Sequence, residues 1–164
     1  MKRLFFGILL ASSLPVMAMG KMPQMEGQSN ARPAVASCQI VVQDLNKNKL
    51  SRQINETQLV EILQNLNTVR KLPDYFVTKK QAQDLGWRPG SYFSRIPALK
   101  GKSIGGDHFG NYERRLPQNS WKEADLDYRG NKRNAKRLVF STNALQRYVT
   151  VDHYETFHQV PPCQ

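Results

Sequence analysis

Between Ser120 and Ser141 the chain reads SWKEADLDYRGNKRNAKRLVFS, a stretch that crowds carboxylates and guanidiniums together. Read as two strands joined by a turn around Gly130 and Asn131, alternation puts Glu123, Asp125 and Asp127 on one face of the first arm. Ala124, Leu126 and Tyr128 take the other face. On the second arm Arg133 and Arg137 are in phase with each other, while Leu138 and Phe140 alternate to the opposite side. One face is core. The other faces something polar: a carboxylate can take a proton, and guanidiniums can meet negative charge.

Two further groups could join such chemistry. Lys79 and Lys80 fall in the first turn of a predicted helix, where the macrodipole disfavours cations. They are either solvated or directed at an anion that the helix start also favours. His153 lies in VTVDHYETF, where simple alternation puts it in phase with Val149, Val151 and Phe157 as a packed, hydrogen-bonded histidine. A loop breaking the alternation at Asp152 would free it. Two cysteines and three scattered histidines, His108, His153 and His158, show no metal-ligand spacing, and no metal or cofactor is expected. GKS at 101–103 is not a phosphate-binding loop, because Ile96 stands where that motif needs its first glycine.

The elements that must position these groups follow from periodicity. Leu59, Ile62, Leu63, Leu66 and Val69 recur at helical spacing after an Asn55 cap. A second, short helix begins at Thr78, with Gln81 at capping-box spacing, and Gly86 closes it. From Gly101 onward strands and glycine-containing turns dominate. The segment QIVVQDLNKNKLSRQI reads as a small strand, turn and strand, and residues 19 to about 37 as a flexible Met/Gln/Pro/Ala-rich arm. Helices first and an antiparallel sheet after give an α+β domain.

Composition narrows the setting. Lys2 and Arg3 precede an apolar stretch from Leu4 to Ala18, with Val16 and Ala18 suited to a signal peptidase, so residues 1–18 are expected to be a secretory signal, with cleavage after Gly20 as the alternative. Its removal takes away Lys2 and Arg3 and lowers the formal charge from +11 to +9. Beyond it no apolar run is long enough to span a bilayer, so the product is expected outside the cytoplasm, extracellular or periplasmic, without membrane attachment. Cys38 and Cys163 lie near the two ends of the mature chain and are expected to form one disulfide there, with two free thiols as the alternative. A charge near +9 suits a nucleic-acid partner, whether the protein cleaves it or only binds it.

The blocks KLPDYFVTKKQAQDLGW, GKSIGGDHFGNYERRLP, WKEADLDY with RNAKRLVFS, and DHYETF resemble, in order and nearly in spacing, the barnase-like bacterial extracellular guanyl-preferring ribonucleases. The similarity covers about residues 54 to 160. It implies helices packed on a five-stranded antiparallel sheet and a catalytic domain at 54–160; outside it lie an N-terminal extension at 19–53, with the small hairpin, and a C-terminal tail at 161–164. It also implies a monomer that takes single-stranded RNA, with an acidic, barstar-like inhibitor protein as a partner.

By that resemblance Glu123 matches the family's general base and His153 its general acid, while Lys79, Arg133 and Arg137 match the phosphate-contacting cations. Asp125 corresponds to the buried partner of the two arginines and Asp107 to the partner of Lys79. Tyr154 matches a substrate-contacting tyrosine. In FGNYE, Glu113 matches the carboxylate that reads guanine and Asn111 the residue whose surrounding backbone reads the rest of the base. Tyr112 stands where the family's type sequence has an arginine, Lys132 replaces an aromatic residue, and one extra residue lies between Ser141 and His153. A carboxylate amid phosphate-directed cations separates this reading from a protein that only binds nucleic acid.

Overall fold

A computed structural model describes residues 34–164; the expected signal segment and most of the expected N-terminal arm lie outside the described residues. Helix α1 runs over Cys38–Asn48 and α2 over Glu56–Thr68. Strand β1 (Phe76–Val77) leads into α3 (Lys79–Asp84), and two 3-10 turns, Phe93–Arg95 and Pro97–Leu99, follow. The rest is sheet: β2 Ser103–Phe109, β3 Trp121–Asp125, β4 Arg137–Ser141, β5 Arg147–Thr150 and β6 His158–Gln159.

The α+β architecture is the expected one, with one strand more. Strands β2 to β6 form a continuous antiparallel meander of five, and β1 adds a sixth by pairing parallel to β2 through Phe76↔Ser103 and Val77↔Ile104. The hairpin expected within 39–54 is instead helix α1. Its β-branched run Ile40-Val41-Val42 mimics a strand, but Cys38, Val41, Val42 and Leu45 share one buried helical stripe, and Ser37 accepts the Ile40 N–H as its cap. Asn46, also buried, then ties α1 to the start of α2, bonding the backbone of Ile54 through both ends of its amide and donating to Glu56 at 2.8 Å.

The sheet has two different faces. Ala124, Leu126, Leu138, Phe140 and Val149 pack under α1 and α2 as the main core. On the other face Leu116, Trp121 and Val139 make a smaller cluster rimmed by Phe109, Tyr148, Tyr154 and Phe157. The rest of that face is polar. A disulfide between Cys38 and Cys163 spans 125 positions, and Cys38 and Ala36 exchange backbone hydrogen bonds with Gln164 at 3.0 Å each.

Candidate active site

Glu123 sits mid-strand on β3, paired across the sheet with Val139 of β4 and Asp107 of β2. It is only 8 % exposed, so its charge needs partners. Lys79 Nζ donates to Oε1 at 3.0 Å, and the Tyr154 hydroxyl donates to Oε2 at 2.6 Å. Burial, and then the carboxylate it faces, push the Tyr154 pKa up, so the hydroxyl stays protonated as a donor.

Lys79 reaches that carboxylate because of how α3 starts. Thr78 caps the helix in a capping box with Gln81, and Lys79 is the first helical residue. Asp107 accepts the Lys79 backbone N–H at 3.0 Å, so its partner is the helix end and not the ammonium. The register shift between Gly105 and Asp107, with Gly106 at φ +98°, aims Asp107 there.

Asp125, two residues along the same face from Glu123, is 1 % exposed and holds both arginines. Arg133 makes a bidentate pair, Nε and Nη2 each 2.7 Å from a carboxylate oxygen. That hydrogen bonding raises the Arg133 pKa and keeps it cationic. Arg137 Nε lies 3.0 Å from Asp125 Oδ1 as a charge contact without an aligned hydrogen bond, while its Nη1 donates to the carbonyls of Asn134 and Lys136 at 2.7 Å.

The hairpin itself differs from simple alternation. Strand β3 ends at Asp125 and β4 starts at Arg137, so 126–136 is a long connection, and Arg133 reaches Asp125 from it rather than from a paired strand. Asp127, at φ +57°, leaves the site altogether: it accepts from the Asn55 backbone N–H at 3.0 Å and from Lys136 Nζ at 2.7 Å, tying the sheet to the start of α2.

His153 also escapes the strand. β5 stops at Thr150, and His153 and Tyr154 take φ of +56° and +74°. The turn is organised by Asp152, which accepts from Thr150 Oγ1 at 2.9 Å and from the N–H and hydroxyl of Thr156 at 3.0 and 2.6 Å. Desolvation would raise the Asp152 pKa, but these hydrogen bonds outweigh it and hold the carboxyl down at about 2. The outcome is an exposed His153, its backbone N–H on Ala135 O and its ring 4.9 Å from the ring of Tyr154.

Beside Glu123 and Tyr154 a cavity of about 320 Å³ is walled by the loop Phe109–Glu113 and by Phe157. Asn111, at φ +44°, braces this loop by bonding both the N–H and the carbonyl of Leu116 through its amide. The Tyr112 ring folds back over Gly110, where a Cβ would lie 2.2 Å from it, yet the ring is 92 % exposed and free to swing aside. Glu113 is exposed and its Oε2 accepts from Arg115 Nε at 2.6 Å; Arg115 also donates to the carbonyl of Glu155. Sequence reasoning passed over Arg115, although its offset of two from Glu113 was there to read. Phe109, stacked 5.3 Å from Tyr154, was passed over as well.

The structure therefore brings Glu123, Lys79 and Tyr154 into direct contact, sets Arg133 and Arg137 on Asp125 alongside, and puts Asn111, Tyr112 and Glu113 around the adjoining cavity. Residues 62–161 match the family model for ribonucleases. The ribonuclease of Bacillus intermedius is 39 % identical over 125 residues, covering 65 % of this chain and 76 % of the relative. That of Heyndrickxia coagulans is 48 % identical over 94 residues, covering 56 % of this chain and 84 % of the relative. A Bacillus pumilus ribonuclease is likewise 48 % identical over 94 residues, covering 56 % of this chain and 57 % of the relative. The chain belongs to the barnase-like ribonuclease family, and it is accordingly an RNA-cleaving enzyme.

Proposed function

We propose that this ribonuclease is secreted, prefers guanosine on the 5′ side of the cleaved bond, and works in two steps through a 2′,3′-cyclic phosphate without a metal ion. The observation that carries the reading is the buried Glu123 carboxylate, held at one oxygen by Lys79 and at the other by Tyr154, beside two arginines fixed by Asp125. A group that only binds phosphate gains nothing from a carboxylate at its centre.

In the first step Glu123 takes the proton of a ribose 2′-hydroxyl, and the oxygen attacks the adjacent phosphorus. The bond to the departing 5′-oxygen breaks as His153 delivers a proton to it. In the second step the roles reverse: His153 takes a proton from water, the water oxygen attacks the cyclic phosphate, and Glu123 returns a proton to the 2′-oxygen. Acid and base must act from opposite sides because attacking and leaving oxygens are in line, and each contributes on the order of 10²–10⁴ in rate. Lys79, Arg133 and Arg137 meet charge that grows on the non-bridging oxygens. The base lies in the cavity bounded by Asn111 and Glu113, where Glu113 accepts from the guanine N1 and N2 edge after exchanging its Arg115 partner for the base. Tyr112 covers the loop in place of a cation and offers a stacking surface.

The chain works as a monomer, and its basic groove is the surface an acidic, barstar-like inhibitor would cover. The decisive experiment incubates the mature protein, with chelator, with a guanosine-containing dinucleotide and with its 2′-deoxy analogue. A cyclic phosphate from the first and no cleavage of the second is the expected result, since the deoxy strand offers Glu123 no hydroxyl to deprotonate. Cleavage of both, or binding of both without turnover, would overturn the mechanism.

A further inference from the structure

The face of the sheet opposite Glu123 holds a second concentration of positive charge that RNA cleavage does not use. Two cross-strand rows define the faces: Glu123, Val139 and Tyr148 point one way, and Lys122, Phe140 and Arg147 the other. Near the end of α2 the second face opens into a cavity of about 400 Å³ walled by Arg70, Lys71, Lys122 and Arg147. Among the described residues Asp74 is the one acid on its wall.

Arg147 is the unusual member. It occupies a position in phase with the core residue Val149 and opposite the core residue Phe140, and it is only 7 % exposed. Among the described residues its guanidinium has no carboxylate within ion-pair distance and no hydrogen-bond acceptor. Burial, and then the like charge of Arg70, push its pKa down, the mark of a cation without compensation. The other buried arginine among the described residues, Arg137, is compensated by Asp125 and two carbonyls. A guanidinium left with its donors facing a cavity, next to a second guanidinium, is a receptor for a multivalent oxyanion, and its planar fork matches phosphate geometry. The cavity is larger than a phosphate group, and Phe76 and Phe140 on its wall supply apolar surface for whatever carries the charge.

We infer that this cavity on the helix-covered face is a binding site for a phosphate group, either inorganic phosphate or the phosphate of a small nucleotide, with Arg147 as its buried anchor and Arg70 and Lys122 at its mouth. The site is independent of the catalytic reading, since it lies on the other face of the sheet and involves none of the same side chains.

The test is an amide NMR titration of the mature, oxidised protein with potassium phosphate and, separately, with uridine 5′-monophosphate, each against potassium chloride at matched ionic strength. Saturable shifts are expected at Gly105, Phe140 and Arg147, distinct from any at Lys79 and Arg133 on the catalytic face. Equal affinity for the two ligands would mean that phosphate alone is recognised; tighter nucleotide binding would mean that the apolar wall contributes. In Arg147→Met, a chain of similar length suited to the core row, binding at this face should weaken by about tenfold or more while RNA cleavage is unchanged. Without phosphate this variant should melt above the wild type, since it removes an uncompensated buried charge. Lys122→Gln, exposed and safe for folding, provides a second variant with an expected loss of about threefold. Shifts confined to the catalytic face, shifts reproduced by chloride, or affinity at this face unchanged in both variants would overturn the assignment.

Discussion

Tyr154 donates its hydroxyl to Glu123 Oε2 at 2.6 Å, so the residue after His153 is bonded to the carboxylate that His153 is proposed to work against. The pair fixes the distance between two elements that share no strand pairing, β3 and the turn after β5. Tyr154→Phe keeps the ring stacked on Phe109 and removes only the donor. A hydrogen bond to a charged group stabilises the fold by about 1.5–3 kcal/mol, so Tm should fall, and kcat/KM on RNA should fall with it by roughly 10- to 100-fold if the bond also positions Glu123. A loss of Tm without loss of rate would assign the bond to folding alone.

Asp125 should be the most costly single truncation in the site. Its side chain is 2 % exposed and serves both Arg133 and Arg137, so Asp125→Ala leaves the buried Arg137 without a carboxylate, a loss of about 3–5 kcal/mol in urea unfolding. Arg133→Gln, at a side chain 30 % exposed, should cost far less stability and show its effect in kcat.

Selectivity should rest on Glu113. Glu113→Ala is expected to lower cleavage after guanosine relative to adenosine by about 1–3 kcal/mol, measured as the ratio of kcat/KM on the two dinucleotides. Arg115→Ala frees the Glu113 carboxylate from its 2.6 Å partner and should leave that ratio intact or raise it. Equal losses on both substrates in Glu113→Ala would make Glu113 a loop support.

The turn that carries His153 predicts an acid-sensitive stability. Asp152 has a folded pKa of about 2, below the usual carboxylate value near 3.9, so its contribution is complete above pH 5 and is lost as pH falls toward 2. Asp152→Asn should flatten this part of the Tm profile while lowering Tm at pH 6, and it should impair cleavage by releasing His153 and Tyr154 from their left-handed conformations. At the other end, Tyr75, held up at about 12 chiefly by burial, keeps its proton in the fold after the unfolded chain has lost its own, so stability should decline above pH 10.

How far the sequence could be read depended on whether each feature has a local cause. The caps of α2 and α3 were legible because Asn55, Thr78 and Gln81 act on backbone three residues away. Strand β3 was legible because apolar and charged residues alternate along it from Glu123 on, and period 2 then admits a single register. Helix α1 was hidden by Ile40, Val41 and Val42, whose β preference yields to packing against α2. The escape of His153 from alternation was invisible, because positive φ at two successive residues without glycine is imposed by Thr150 and Thr156 through Asp152. Arg147, unmarked in the sequence reading, stands in a core row, and only the cavity beside it gives that position a meaning.

The bond between Cys38 and Cys163 changes how the domain answers to force. With their Cα atoms 4.8 Å apart, a pull applied between these residues is carried by a covalent link and never reaches the sheet. An unfolding machine that grips the chain from its N-terminal side and reaches Cys38 must then draw two strands of polypeptide at once or stall. Reduction restores a single thread. In an atomic-force experiment with handles placed just outside the two cysteines, the oxidised protein should show no unfolding extension, and a reductant should release the length of the 125 intervening steps in one event.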